Sequence, residues 1–437
     1  MRTQLCFLTA ALLLPGLAQA NELMQVYDLA AQNDKTFEAA RYGRDASLEA
    51  KPQARAALLP QLEASYNYGY ADSESTVSGF GTSKNHGTDE SLSVNLNQSL
   101  FSLESWRRLQ QADGQVALAQ ATFRSAEQDL ILRVADAYFA VLGAEDNLRS
   151  ARAEQAAVER QLEQAKKRFE VGLSAITDVQ EAQARYDLTV AQEIQATQQL
   201  DTARLALAEI TGQGSTGTAP LIEDIPLPAP TPDKVDDWVG SAMDSNLDLL
   251  AAQLNYTIAA RGVQVARARH LPTIGMTAGY NDSTRESGAF PTDSTSTSIG
   301  IGVTLPLFSG GAVRSQVRQA VATREQRQAQ VEGAQRAVER STRDAYQGVV
   351  TGAAQVRAYK QAVVSSQTAL EASETGLEVG ARTAVDVLNA QQQLYAAQRN
   401  YLQSRYNYLL AVLRLKAAAG RLTPTDLGEI DKLLVQK

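Results

Sequence analysis

A chain of 437 residues, 44% hydrophobic and 21% charged, has the composition of a folded protein and a length that suggests two or three domains. Its formal charge of −8 argues against nucleic acid, or a broad anionic surface, as a partner. Beyond residue 20 no run approaches the ~20 apolar residues of a membrane-crossing helix, which excludes a helical inner-membrane span.

Residues 1–20 combine Arg2, an apolar run from Phe7 to Leu14 and the small-x-small site Ala18-Gln19-Ala20, the pattern of a secretory signal peptide. The single cysteine, Cys6, lies inside it, so the mature chain from Asn21 is expected to be exported without a disulfide or a lipid anchor. The first structural unit follows, over 21–211. In it Leu62, Ala64, Tyr66, Tyr68 and Tyr70 alternate with polar residues, and Leu92, Val94 and Leu96 do the same. A period of two with one apolar face predicts strands at about 61–71 and 90–101, around a polar loop near 72–89.

No proline interrupts the chain between Pro60 and Pro220, and Ala, Gln, Glu, Arg and Leu dominate most of that span. The expectation is very long helices packed as coiled coils. On the second of them Ile176, Val179, Ala182, Tyr186, Val190, Ile194, Thr197, Leu200, Ala203, Leu207 and Ile210 step by three and four, near the heptad period. Between these helices lies Val171-Gly172-Leu173, where a glycine lets the chain reverse. Five prolines between Pro220 and Pro232 then make 212–233 an extended linker.

The second unit, 234–420, repeats the first. Strands are expected at about 273–281, with Ile274, Met276, Ala278 and Tyr280 on one face, and at 298–308, with Ile299, Ile301, Val303, Leu305 and Leu307. A second proline-free span, from Pro306 to Pro424, contains the tip Val379-Gly380-Ala381, 208 residues after the first. A repeat this long is duplication of a whole structural unit, not a solenoid, whose periods run ~20–50 residues. A tail, 421–437, closes the chain.

Four alternating segments in two matched pairs, with long loops on one side and tyrosines near their ends, have the form of transmembrane barrel strands. A soluble sheet is the alternative, because spacing alone does not separate barrel from sandwich. Barrel closure needs about eight strands and lipid tolerates no open edge, so several chains must share one barrel.

In order and motif, with Gly-Leu-Ser-Ala-Ile-Thr-Asp-Val at 172–179 and Gly-Ala-Arg-Thr-Ala-Val-Asp-Val-Leu-Asn at 380–389, the chain resembles the TolC family of outer-membrane exit ducts over essentially its whole mature length. The resemblance implies an α+β membrane protein and a homotrimer. Its twelve-stranded outer-membrane barrel, four strands per chain, continues into a periplasmic α-helical coiled-coil barrel. It implies that the linker and tail form an equatorial belt. It also implies that the tips Val171, Gly172, Leu173, Val379, Gly380 and Ala381 meet a periplasmic adaptor, energised by an inner-membrane ABC or proton-driven transporter. A latch falls at Thr177, Asp178 and Arg382, with Leu377 replacing the family's usual tyrosine. Asp386 and Asn389, three residues apart and so on one helix face, fall at the periplasmic constriction, where the family often has two acids. Repulsion around a trimeric ring would raise the Asp386 pKa.

Nothing points to catalysis, a cofactor or a metal. Gly212-Gln213-Gly214-Ser215-Thr216-Gly217 fits a dinucleotide fingerprint, but it follows a helix and enters a proline-rich linker, whereas the fingerprint needs a strand before it and a helix after. His86 and His270 stand alone, an exposed loop residue and a helix-to-strand junction. The function expected is a passive outer-membrane duct of an efflux or type I secretion system. A trimeric coiled-coil, adhesin-like surface protein is the alternative.

Overall fold

The computed structural model describes residues 22–213, 218–287 and 291–435. The signal-peptide stretch and Gly214–Gly217 of the glycine-rich segment lie outside them. The elements run α1 (Glu22–Asn33), α2 (Lys35–Leu48), α3 (Ala50–Ala56), β1 (Gln61–Val77), β2 (Gly81–Phe101), α4 (Leu103–Glu170) and α5 (Ile176–Thr211). There follow α6 (Val235–Ser245), α7 (Leu247–Ala268), β3 (Thr273–Ser287), β4 (Thr292–Thr304), α8 (Ala312–Glu378), α9 (Ala384–Ala418) and α10 (Pro424–Asp431). The chain divides into two compact units. One holds Ala39–Ala126 and Ser245–Glu339; the other holds the chain up to Glu38, Glu127–Asp244, and everything from Arg340 on.

The first of these units carries a single antiparallel sheet in the order β1-β2-β3-β4, so the strands of the two sequence repeats pair directly through β2 and β3. Directly paired residues share a face, and the register therefore writes out both surfaces. Leu62, Leu96, Ala278 and Ile299 form one cross-sheet row, continued by Ala64, Val94 and Tyr280 on one side and by Met276 and Ile301 on the other. The opposite face carries Gln61, Asn97 and Thr277, then Ser65, Ser93, Asn281 and Ser296. Among the described residues no layer covers the apolar face: Ile299 is 78% exposed and Leu62 71%. A water-soluble sheet would bury such a face. From Leu62 to Tyr70 the face extends about 26 Å along the strand, against an apolar band of roughly 25 Å on outer-membrane barrels.

The strands run farther than apolar alternation indicates. β1 continues to Val77 and β2 begins at Gly81, so the expected loop at 72–89 is mostly paired strand, His86 included. The reason is that hairpin extension needs backbone pairing and β-branched or hydroxyl side chains, not an apolar face; Thr76 and Thr82 hydrogen-bond across the strands at 2.9 Å. β3 likewise runs to Ser287 and β4 starts at Thr292. β4 ends at Thr304 and not at 308, because Pro306 has no N–H to give to a ladder.

In the other unit the helices pack along a heptad seam. Val158, Leu162, Ala165, Val179, Ala182 and Leu388 form one cluster, with Tyr186 against it. Farther along α5 the buried positions are Thr189, Ala196, Leu200, Leu207 and Thr211, spaced from Ala182 by seven or four residues, as a heptad seam is. The expected seam drifts from it at Val190 and Ile194, and Ile194 is 63% exposed. Small side chains at 189 and 196 let the helices approach, so period outweighs residue size here.

The linker and the tail are tied together. Leu221 bridges Leu434, Ile222 N–H donates to Leu433 O at 2.9 Å, and Val435 N–H donates to Pro220 O at 2.8 Å. Helix side chains hold the same strap, Tyr408 donating to Pro228 O and the Tyr138 hydroxyl accepting from Ala219 N–H. Gly212 caps α5 in the left-handed region at φ 69°, and a Cβ there would lie 2.9 Å from Asn33 Cβ. That helix-ending role accounts for the first glycine of the dinucleotide-like segment.

Asp34 joins α1, α2 and α4. Its carboxylate accepts from Phe37 N–H at 2.6 Å and from both terminal nitrogens of Arg133 at 2.8 and 3.1 Å. Burial pushes its pKa up, but the Arg133 hydrogen bonds and the backbone N–H groups of Phe37 and Thr36 prevail and hold it below the usual value. Its stabilising contribution is therefore complete above the unfolded value near ~3.9 and is lost as the pH falls through the lower folded value. Asp34→Asn should cost on the order of 2–3 kcal/mol at neutral pH, less than the ~3–5 of a fully buried pair because Arg133 stays 29% exposed. The loss should shrink in acid, and equilibrium unfolding followed against pH checks it.

Candidate functional site

Both chain reversals close with the same backbone chemistry. Gly172 and Gly380 have φ of 75° and 76°, and the next amides, Leu173 and Ala381, each donate 2.8 Å to a carbonyl five residues back, of Arg168 and Gly376. This is the left-handed helix stop that glycine favours. No heavy atom lies within 4 Å of a Cβ added at either glycine, so conformation, not space, selects it. The stops leave apolar side chains at the surface: Val171 is 68%, Leu173 70% and Val379 75% exposed.

The helices that follow begin differently. At α9, Thr383 and Asp386 form a reciprocal capping box: Asp386 N–H donates to Thr383 Oγ1 at 3.2 Å, while the Asp386 carboxylate accepts from Thr383 N–H and Oγ1, both at 2.9 Å. At α5 the corresponding N-cap is Ala175, which has no side-chain cap, and Asp178 has no reciprocal partner there. The Asp386 carboxyl is consequently held below the usual carboxylate range, first by Thr383 N–H, then by its hydroxyl and by the Arg382 charge. Within one chain the shift is thus opposite in sign to the ring repulsion expected from sequence. Asn389 accepts from Arg185 of α5 at 3.1 Å. Nothing in the spacing of α9 marked Arg185, and only its place on the helix after the first tip could have done so.

A cleft of about 240 Å³ separates the two reversals and is lined by Asp178, Leu173, Leu377, Arg382 and Thr383. Arg382 and Asp178 share this cleft, but among the described residues no hydrogen bond or ion pair joins Arg382 to Asp178 or Thr177. The Arg382 stem folds over Gly376, where a Cβ would lie 2.6 Å from Arg382 Cγ. Leu377 packs against Leu370, Val387, Ala390 and Leu394, so its apolar side chain serves the α8–α9 seam. Among the described residues no cluster of His, Cys, Asp and Glu is placed to hold a metal.

The outer membrane efflux protein family model matches residues 26–213 and again 238–421, most of the chain. The chain belongs to the outer membrane efflux protein family. It is 38% identical over 435 residues to outer membrane protein TolC of Vibrio cholerae, covering 97% of each chain, and 37% identical to TolC of Escherichia coli, covering 96% of this chain and 86% of that one. It is also 33% identical to the alkaline protease secretion protein AprF of Pseudomonas aeruginosa, across 95% of this chain and 88% of the relative. Its fold matches the crystal structures of the Campylobacter jejuni CmeC outer membrane channel, with a TM-score of 0.77 at 17% identity over 95% of this chain and 90% of that one, and of Vibrio cholerae VceC, with 0.75 at 22% over 91% and 96%. This outer membrane efflux protein is a TolC-type channel of the outer membrane with a periplasmic helical extension.

Proposed function

We propose that three copies of the chain close one twelve-stranded barrel and act as the passive exit duct of a tripartite efflux or type I secretion system. The observation that carries this is the four-stranded sheet: one face crossed by the apolar row Leu62, Leu96, Ala278 and Ile299, the other polar along the rows from Gln61 and Ser65, and both edges, β1 and β4, without a neighbour among the described residues. Unpaired edges are not tolerated in lipid, and three such sheets supply the strands for a water-filled barrel. The duct has no energy source, so an inner-membrane ABC or proton-driven transporter supplies it through a periplasmic adaptor that meets the exposed tips. The family's description as outer membrane efflux proteins supports efflux, and the name of the AprF relative, an alkaline protease secretion protein, supports secreted polypeptide. Purified protein should conduct ions in planar bilayers only as a trimer, and a conducting monomer would refute the proposal.

In the trimer Arg382 acts as a latch on Thr177 and Asp178, of its own or the adjoining chain. The reading is supported by the cleft that Arg382 and Asp178 already share. Because Leu377 donates no hydrogen bond, Arg382 carries more of the closure. Exposed ion pairs contribute only ~0–1 kcal/mol, so Arg382→Ser should leave the trimer intact and raise single-channel conductance or antibiotic sensitivity a few-fold. If neither changes, the latch reading fails.

A further inference from the structure

The chain is acidic overall, at −8, yet the helix ends next to the sheet are not. Residues 49–57, 103–113, 261–271 and 309–318 together hold nine Lys or Arg against three Asp or Glu. At the hairpin ends of the same sheet, 71–91 and 281–295, the balance reverses to two against seven. Among the cations, Lys51 pairs with Asp113, while Arg108 and Arg269 share Glu104. Arg55, Arg267, Arg314 and Arg318 are exposed, and among the described residues no hydrogen bond or ion pair engages their side chains.

Helical geometry places each of these four on the side of its helix away from one polar cleft. A cleft of about 870 Å³ runs across α3, α4, α7 and the start of α8, lined by polar residues such as Gln53, Gln111, Gln316 and Gln319. At ~100° per residue, Arg55, Arg267, Arg314 and Arg318 lie about 140–165° around their helices from the mean direction of the residues that line that cleft. Trp106, 52% exposed, is likewise on the side of α4 away from the cleft-lining Arg108 and Gln111. Leu307 and Phe308, each 89% exposed, lie between the apolar strand β4 and the arginines of α8.

We infer that Arg55, Arg267, Arg314 and Arg318 form a collar that binds the phosphate headgroups of anionic phospholipid in the periplasmic leaflet. The occupant follows from continuity and charge. The collar borders an apolar belt that faces lipid, and its cations have no carboxylate of their own; guanidinium groups beside a membrane recognise phosphate. Long arginine stems lie along the apolar edge while the heads reach the interface. The acidic hairpin ends, on the far side of the belt, offer no such site. This inference rests on the channel reading above.

Native mass spectrometry of the purified trimer, titrated with phosphatidylglycerol, phosphatidylcholine or inorganic phosphate, tests it. Wild type should bind phosphatidylglycerol at least about tenfold more tightly than phosphatidylcholine, and each Arg→Gln change should weaken it by about fivefold, the equivalent of one interfacial charge. The R314Q/R318Q pair, confined to one exposed helix face, provides the test if the four-site variant does not assemble. Equal binding of both lipids by wild type, an unchanged preference in R314Q/R318Q, or displacement of the lipid by inorganic phosphate at comparable concentration would each overturn the collar. Planar-bilayer conductance of the same preparation separates the two readings: lipid indifference with normal conductance sinks the collar alone, whereas wild-type protein that does not conduct removes the channel reading beneath it.

Discussion

Gly380→Pro should abolish export while the trimer still forms and inserts. Gly380 sits at φ 76°, where an L-residue costs roughly 1–2 kcal/mol and proline, fixed near −65°, does not fit. The substitution also removes the N–H that Gly380 donates to Leu377 O at 3.2 Å. The rearrangement is local, because the glycine has no neighbour within 4 Å of its missing Cβ and the seam beyond it is anchored by Val387 and Leu394. Gly172→Pro should behave alike. A variant that leaves the backbone alone separates docking from turn closure: Val379→Asp puts a charge on a residue 75% exposed and should also stop export if an adaptor covers this surface. Normal secretion or efflux in all three strains would place docking elsewhere.

Asp386→Asn should reduce cation selectivity sharply and relieve block by multivalent cations. On the proposed trimer, with Asp386 at the constriction that the family resemblance implies, the carboxylate would recur three times around the opening, where an acidic ring would set the field. Two terms oppose each other in its titration: repulsion among copies raises the apparent pKa, and the Thr383 hydrogen bonds lower it within each chain. To the extent that the local bonds prevail, the ring stays charged, and selectivity persists, down to pH values below the ordinary ~3.9. Asparagine keeps an oxygen for Thr383 N–H, so the start of α9 survives and the charge alone is removed. Arg185 beside Asn389 adds a cation where the family resemblance implies a second acid, so Arg185→Gln should shift selectivity further toward cations. Reversal potentials measured across a salt gradient decide both cases; an Asp386→Asn value equal to wild type would remove Asp386 from the constriction.

What was legible in the sequence is what periodicity encodes. The alternation at Leu62–Tyr70 and Ile299–Val303 is written as one apolar and one polar sheet face, and the matched tips at Val171 and Val379 close with the same backbone hydrogen bonds. Strand ends were less legible, since Ser- and Thr-rich hairpins are polar on both faces and alternation has nothing to act on there. The α5 seam was misplaced at Val190 and Ile194 by favouring bulky residues over the strict period that Thr189 and Ala196 keep. The Thr383-x-x-Asp386 spacing was a readable capping signal that went unused. Arg185 and the Arg382 stem over Gly376 depend on contacts between residues more than a helical turn apart in sequence, which spacing along one helix does not carry.

The uncovered edges of β1 and β4 have a genetic consequence. If no barrel exists without three sheets, a copy able to join but unable to open spoils every assembly it enters. In a cell expressing equal amounts of intact and closed-locked chains, random mixing leaves only about one assembly in eight fully intact, as expected for a three-fold ring. A locked allele should therefore be dominant, whereas one whose sheet cannot pair should be recessive, because its product never reaches a partner.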